Sequence, residues 1–534
     1  MALFVIAGNQ FRIDPNIFYE KPSTNLKLMQ LPLKLERQSK QTLQNQLFEQ
    51  IRSLILSGKL KPGTLMPATR SLSEQLGVSR NTVLLAYDRL IAEDYLQTQE
   101  AVGTYVNSYL PSDSLVLKAP TQPLMLPEKP QSKRHPVLFQ GRAQRVANSQ
   151  RSGLAIDFRV GRLDPHSFPT KTWRRLILRH LNASGSNLTE YRNPIGIVAL
   201  REAVANHLGP ARGIAVTPEQ IIVVSGSQQA LNIVARLLIA QGTRVVTECP
   251  CYQGAAYVFE SYGAQLHPVP VDQYGLQVSK LPLAPASLAY VTPSHQYPMG
   301  STLSLKRRVQ LLDWAGQVGA YLIEDDYDSD FRHNGSPLTA LAGLDPYDCV
   351  IYMGTVSKSI GAGLRLGYVL FPGELMEPAK TVKALLDNGN PWLDQAILAD
   401  FISDGGYAKH LRQIRRMYLR RRDCLIAALK SHFGEVKLSG LEGGMHLVWH
   451  LPPNFPTAIE MQAIARKAGV GIYALESGGA YDYGHKEYSE RILLLGYSSL
   501  AEAQICAGIA KVAAAFLKEL GHPSTKPKLA SQTN

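Results

Sequence analysis

Lys358 closes the run Gly354-Thr-Val-Ser-Lys358, directly after the apolar stretch Val350–Gly354. A lysine amine held out of water at a strand end attacks aldehydes and forms a Schiff base. Thr355 and Ser357 place hydroxyls beside it, of the kind that bind a phosphate. Upstream, Tyr321-Leu-Ile-Glu-Asp325 ends on a carboxylate, which can keep a pyridine nitrogen protonated and make the ring an electron sink. Ser225-Gly-Ser-Gln-Gln-Ala230 reads as a strand-to-helix turn, where free N–H groups at Ser227 and Gln228 suit an anion. Amine, carboxylate and phosphate cradle together point to pyridoxal 5'-phosphate (PLP) as cofactor.

A different chemistry sits about 280 residues earlier. Gly77-Val78-Ser79-Arg80-Asn81-Thr82-Val83 joins a short helix, from about Ala68 to Leu76, to a longer one running from Arg80 to about Glu93. Glycine suits the left-handed residue at the helix end, and Ser79 reads as an N-cap. The start of the second helix presents Ser79, Arg80, Asn81 and Thr82 with free N–H groups, a combination that suits DNA phosphates and base edges. A helix from Gln41, with Leu43, Leu47, Ile51 and Leu54/Ile55 on one face, precedes the pair. Tyr95-Leu96 and Thr104–Val106 follow as a β-hairpin wing.

These elements sit in a chain of 534 residues with a formal net charge of +13, a balance that favours a polyanionic partner. No apolar run reaches the length of a membrane span, and the start lacks the basic region of a signal peptide. Five scattered cysteines suit a reducing cytoplasm. Cys249-Pro-Cys251 has no Cys/His pair at ligand spacing, so no metal is expected. Residues 1–37 read as a poorly ordered arm, 38–107 as a winged helix-turn-helix and 521–534 as a tail. Residues 108–152 read as a proline-containing linker, in which Lys118, Lys129, Lys133, Arg134, Arg142, Arg145 and Arg151 outnumber Asp113 and Glu128.

From 153 to 520, apolar runs such as Ile221–Ser225, Arg244–Glu248 and Leu288–Thr292 alternate with helical patterns. That texture implies an α/β domain with a mainly parallel sheet. After about Asp400 a smaller α+β subdomain follows: a basic helix, strands Met445–His450 and Arg491–Gly496, and a last helix. In the basic helix, around His410–Arg422, an apolar stripe of Leu411, Ile414, Tyr418 and Leu425 leaves the arginines on a solvated face.

Lys61–Val106 resembles the GntR family through Gly63-Thr-Leu-Met-Pro67, Arg70-Ser-Leu72, Leu76–Val83, Ala86-Tyr87, Leu90 and Gly103-Thr-Tyr-Val106. The resemblance implies a backbone-contacting role for Arg70 and a wing tip at Gly103 and Thr104. Residues 155–520 resemble fold-type I PLP enzymes of the aminotransferase class, with Lys358 as the Schiff-base lysine. That resemblance implies Arg365, in Gly363-Leu-Arg-Leu-Gly367, as a phosphate ligand and Tyr327 as a partner of the cofactor's phenolic oxygen. It also implies Tyr252 as the ring stacked on the pyridine. Tyr191-Arg-Asn-Pro-Ile-Gly196 resembles the segment that enters the neighbouring subunit's site, implying a homodimer.

Two departures weigh against efficient transamination. The family's arginine for a substrate α-carboxylate is replaced by Leu494, with Arg491 the nearest substitute, and the usual Asn-Pro-x-Gly loop becomes Thr292-Pro-Ser-His-Gln-Tyr-Pro-Met-Gly300, with Tyr297 for Asn. Arg491 and Tyr297 are therefore the effector-binding candidates. A GntR-like module joined to such a domain is the layout of the MocR subfamily. It implies a transcriptional regulator that binds a double-stranded DNA operator and senses an amine, an amino acid or a vitamin B6 form at Lys358. The competing expectation is a cytoplasmic aminotransferase with an accessory DNA-binding module, and residual transaminase activity is compatible with either.

Overall fold

The structure is a computed structural model that describes residues 31–39, 41–99, 102–107, 141–142, 153–333 and 338–519. The expected arm up to residue 30, the expected tail 521–534 and the linker apart from 141–142 lie outside the described residues. The chain divides into two compact units, 1–135 and 136–534.

In the first unit, α1 (Leu43–Leu56) starts at Thr42, whose side chain accepts the Asn45 N–H. It buries Leu47, Phe48, Ile51 and Ile55, the face that the periodicity picks out. α2 (Thr69–Leu76) ends at Gly77 with φ +63°. α3 (Arg80–Ala92) is capped by Ser79 and buries Val83, Ala86, Tyr87 and Leu90. β1 (Leu96–Gln99) and β2 (Gly103–Val106) pair antiparallel as the wing, with Leu96 opposite Val106. Leu31 is 5% exposed in this core, and Leu33 and Leu35 pack against it. The ordered module therefore begins inside the stretch read as an arm, because three alternate leucines find an apolar surface that no local pattern announces.

The second unit is built on eight strands: β3 (Ile221–Val224), β4 (Arg244–Cys249), β5 (Gln265–Asp272), β6 (Gly275–Leu276), β7 (Leu288–Val291), β8 (Tyr321–Asp326), β9 (Val350–Thr355) and β10 (Gly367–Leu370). Their order is β3-β10-β9-β8-β7-β4-β5-β6. The pairs from β9 through β8, β7 and β4 to β5 are parallel, while β10 and β6 run antiparallel to their neighbours. The central strands are apolar on both faces, as a sheet covered by helices requires. Ile323 and Ile351 enter one buried cluster and Leu322 and Val350 another. α4 (Ser227–Leu238) follows β3 directly. The C-terminal ends of β8 and β9 thereby bring Asp325 and the Thr355–Lys358 turn to one rim.

The smaller subdomain holds α5 (Gly406–Phe433), β11 (Lys437–Ser439), β12 (His446–His450), β13 (Tyr473–Ala474), β14 (Ile492–Gly496) and α6 (Glu502–Glu519), with strand order β11-β12-β14-β13. Leu411, Ile414, Tyr418 and Leu425 of α5 are buried as expected. Arg421 is buried with them: its guanidinium binds Asp164 at 2.6 Å and the Ser498 carbonyl, so this arginine is structural. Arg142, counted in the basic linker, pairs with Glu260 at 3.2 Å and lies 5.4 Å from the ring centres of Tyr257 and Tyr481. Its charge is committed to the second unit rather than to phosphate.

Candidate cofactor site and nucleic-acid interface

A cavity of about 260 Å³ opens at the strand rim, lined among others by Ser227, Gln228, Tyr252, Tyr327, Lys358 and Arg365. Thr355, Ser357, Asp325 and Tyr297 also face it, so ten of the residues singled out in the sequence meet there. At one end Gly226, whose φ is +92°, stands as the N-cap of α4. A Cβ on Gly226 would lie 2.9 Å from Arg365 Nη2, so only glycine lets that guanidinium reach the helix start. Arg365 Nη2 donates to the Ser225 carbonyl at 2.6 Å. Arg365 itself adopts φ +54°, a left-handed conformation that costs an L-residue roughly 1 kcal/mol. Helix dipole, free N–H groups and a fixed guanidinium converge there on one anion-sized spot.

Asp325 is buried, and only Oδ2 has a partner, the Tyr290 hydroxyl at 2.7 Å. Oδ1 is buried without a hydrogen bond. Burial pushes the carboxyl up to about 7, Asp326 and Asp328 add to the rise, and the bond from Tyr290 opposes it. A protonated ring nitrogen at Oδ1 would satisfy that oxygen and restore the charged form. Lys358 Nζ donates to the Gly161 carbonyl at 3.4 Å. Burial holds this amine below the ordinary lysine range, while Asp328 and Asp325 pull it back. The net shift is towards the neutral, nucleophilic form. These features fit PLP: an orphaned carboxylate oxygen, a desolvated lysine and an anion cradle.

Gln228 Nε2 donates to the Tyr252 hydroxyl at 3.2 Å, fixing that ring against the cavity. Thr355 Oγ1 accepts the Ser357 N–H at 3.1 Å and so shapes the turn that presents Lys358. Tyr327 OH lies 3.1 Å from His295 Nδ1, which also lies 2.8 Å from Asp328 Oδ2. His295, Asp328 and His446 form the one buried group of metal-ligand type among the described residues, with facing atoms within 4.8 Å. His295 Nδ1 faces Asp328 and Tyr327 and His446 Nε2 donates to the Pro298 carbonyl at 3.0 Å, while His295 Nε2 and His446 Nδ1 are buried without a hydrogen bond. The His295–Asp328 pair braces Tyr327 through Nδ1. Sequence reasoning missed Tyr290, His295, Asp328 and His446. His295 lies inside the altered loop and Asp328 directly follows Tyr327, but nothing local couples them.

Arg491 requires correction as an effector residue. Its Nη1 donates to the carbonyls of Pro452, at 3.3 Å, and Phe455, at 3.0 Å, away from the cavity. Strand side chains alternate faces. Ile492 and Leu494 pack with Tyr297, whereas Leu493 and Leu495 enter the opposite cluster. Odd-numbered 491 shares that opposite side. Tyr297 does line the cavity, but its hydroxyl donates to the Gly478 carbonyl at 2.7 Å. Tyr191 is 87% exposed and lies outside the lining of this chain's own cavity.

On the first unit, Ser79 Oγ accepts the Thr82 N–H at 3.1 Å, leaving the N–H groups of Arg80 and Asn81 outward. Such a cap stabilises a helix by about 1 kcal/mol. Arg80 Nε donates to Thr69 Oγ1 at 3.4 Å, which brings it beside Arg70 at the start of α2. Arg70 is exposed, with only a surface pair to Glu74 at 3.3 Å. Arg70, Ser79, Arg80 and Asn81 thus share one accessible basic face. Gly103, at φ +127°, begins the second wing strand, and Thr104 Oγ1 lies 3.4 Å from Thr98 Oγ1.

Comparison with known proteins agrees with both units. Residues 43–106 match the bacterial regulatory proteins of the gntR family, and residues 156–480 match aminotransferase class I and II. The chain is 35% identical over 490 residues to the probable rhizopine catabolism regulatory protein MocR of Rhizobium meliloti, covering 91% of this chain and 96% of that protein. It is 33% identical over 421 residues to the pyridoxine biosynthesis transcriptional regulator PdxR of Corynebacterium glutamicum, covering 79% and 86%. Among solved structures, the kynurenine aminotransferase of Pyrococcus horikoshii superposes with a TM-score of 0.63 at 28% identity, covering 70% of this chain and 92% of that one. No helix among the described residues is long and apolar enough to cross a membrane. With a winged helix of one family and an aminotransferase-like domain of the other matched in a single chain, and MocR itself similar along nearly its whole length, the protein belongs to the MocR-type branch of GntR-family transcriptional regulators.

Proposed function

We propose that this chain is a homodimeric, PLP-dependent transcription factor of the cytoplasm that senses an amine, an amino acid or a B6 vitamer through Lys358. The observation that carries the reading is the unsatisfied, buried Asp325 Oδ1 in the cavity that also holds Lys358, in a chain with an exposed recognition helix. When bound, PLP supplies an electrophilic aldehyde carbon and an electron-accepting ring. Lys358 Nζ, oriented by the Gly161 carbonyl, would hold that carbon. Asp325 would hold a proton at the ring nitrogen, and Tyr327 would meet the phenolic oxygen. Ser227, Gln228, Thr355, Ser357 and Arg365 would hold the phosphate, and Tyr252 would cover the ring.

An amine that competes with Lys358 Nζ would free this side chain and alter the packing around the cavity. To move a regulator from 1:99 to 99:1 between two states, it must favour one by about 5.5 kcal/mol. The similarity to regulators named for rhizopine catabolism and pyridoxine biosynthesis supports a small-molecule signal. Arg80 and Asn81 read bases, while Arg70, Ser79, Thr82, Gly103 and Thr104 position the module on the backbone.

The test combines three measurements. Borohydride reduction of the PLP-treated chain should leave the pyridoxyl group on the peptide containing Lys358. Selection from a random duplex pool should recover an operator. Lys358→Ala should bind that operator without responding to amines. A chain that stays colourless with PLP, or that enriches no duplex, overturns the proposal.

A further inference from the structure

With Leu494 where aminotransferases carry an arginine, and Arg491 on the wrong face of β14, the lining of the cavity holds no arginine beyond the Arg365 of the phosphate cradle. Another guanidinium occupies that neighbourhood. Leu494 pairs in register with Tyr473 of β13, so their side chains share a face. The Arg159 guanidinium lies over the Tyr473 ring, 4.9 Å from its centre. The carbonyl of Arg159 abuts Gly496 at the end of β14, where an added Cβ would come within 2.4 Å. The next two residues, Val160 and Gly161, line the cavity, and Gly161 holds Lys358 Nζ.

Arg159 is half-buried and has no acidic ion-pair partner among the described residues. Asp157, two residues earlier, is already engaged by Arg162 at 3.4 Å and by the Tyr473 hydroxyl. The field of Arg159 reaches the cavity wall: burial and Tyr252 raise the Tyr297 phenol, and the charge on Arg159 opposes that rise. A guanidinium resting on an aromatic face is poorly hydrated, which strengthens its bonds to carboxylate.

We propose that Arg159 is the effector's acid-binding residue, replacing from a neighbouring segment the arginine lost at position 494. The effector class is then an amine that also carries a carboxylate, its amine directed to Lys358 and its acid group to Arg159. The inference rests on the amine-sensing reading above and narrows it.

The PLP-loaded full chain is titrated with L-alanine, L-leucine, L-phenylalanine and 4-aminobutyrate. Each is paired with its decarboxylated amine: ethylamine, isopentylamine, phenethylamine and propylamine. The change in visible absorption gives the dissociation constant at matched PLP occupancy. For at least one pair the acid-bearing member should bind tenfold or more tightly. Arg159→Ala should bring that pair within twofold, Arg159→Lys should retain part of the preference, and adding Leu494→Arg to Arg159→Ala should restore it. A preference that survives Arg159→Ala, or equal binding within every pair in the native chain, overturns the proposal while leaving amine sensing intact. Failure of all eight compounds to alter the absorption of a PLP-loaded chain overturns amine sensing itself, and this inference with it.

Discussion

Replacing Asp325 by Asn should stabilise the PLP-free protein and weaken its hold on PLP, because one buried oxygen is responsible for both effects. In the PLP-free chain the carboxyl is raised from its ordinary value near 4 to about 7, chiefly by burial. Between those values the folded chain binds a proton that the unfolded chain has released, so stability falls as pH rises through roughly 4–7. Each pKa unit corresponds to ~1.4 kcal/mol, which bounds the effect at about 4 kcal/mol above pH 7. An unsatisfied buried acceptor alone costs about 1–3 kcal/mol. Asp325→Asn keeps the shape and removes the charge. At pH 8 the PLP-free variant should therefore gain about 1–3 kcal/mol, a rise in thermal midpoint of roughly 2–6 °C. At pH 5, where Asp325 is protonated, the gain should shrink towards zero. The charged hydrogen bond to the ring nitrogen is lost, so PLP should bind roughly 10–100-fold more weakly. Thermal melts of both proteins at pH 5 and 8, with and without PLP, and a fluorimetric PLP titration supply every quantity. Glu248, also pushed up to about 7 chiefly by burial, is raised in part by the charge on Asp325, so its rise is smaller in the variant and adds to the gain at pH 8. Equal stability of the two PLP-free proteins at pH 8, or unchanged PLP affinity, would refute the assignment of Asp325 Oδ1.

Other outcomes follow from single contacts. Gly226→Ala should weaken PLP binding at least tenfold, since its Cβ would meet Arg365 Nη2 at 2.9 Å and the native φ of +92° disfavours alanine; equilibrium titration measures it. Arg80→Ala should reduce discrimination between operator and random duplex by about 1–3 kcal/mol while leaving PLP binding unchanged, and an equal loss on both duplexes would assign Arg80 to the backbone instead. Arg491→Ala should leave amine titrations unchanged but lower the thermal midpoint, because two backbone carbonyls lose their donor. A strong effect on amine binding would return Arg491 to the effector site. A linker of about 45 residues spans roughly 35–40 Å as a coil, close to one DNA turn of about 34–36 Å. Deleting half of it should thus weaken binding to a two-half-site operator without affecting one half-site, which footprinting resolves.

Much of this protein is written in short-range pattern. Ser79 caps α3 and Gly77 ends α2 because those preferences belong to the residue and its immediate neighbours. Asp325 and Lys358 stand at the rim because an apolar run ends at a strand's end, and the run is visible in the chain. The GntR-like and aminotransferase-like patterns likewise lie within contiguous segments. What folding alone decided involves partners remote in sequence. Leu31 enters the winged-helix core, and Arg421 turns inward to Asp164, 257 positions earlier. Arg491 faces away from the cavity because of its parity relative to Leu494, and which face of β14 meets Tyr297 depends on how the subdomain packs against a loop some 200 residues away. Tyr290, His295 and Arg159 acquire their surroundings in the same way. Helix and strand periods act over two to four residues, whereas side-chain environment is set by which surfaces meet after the chain has closed on itself.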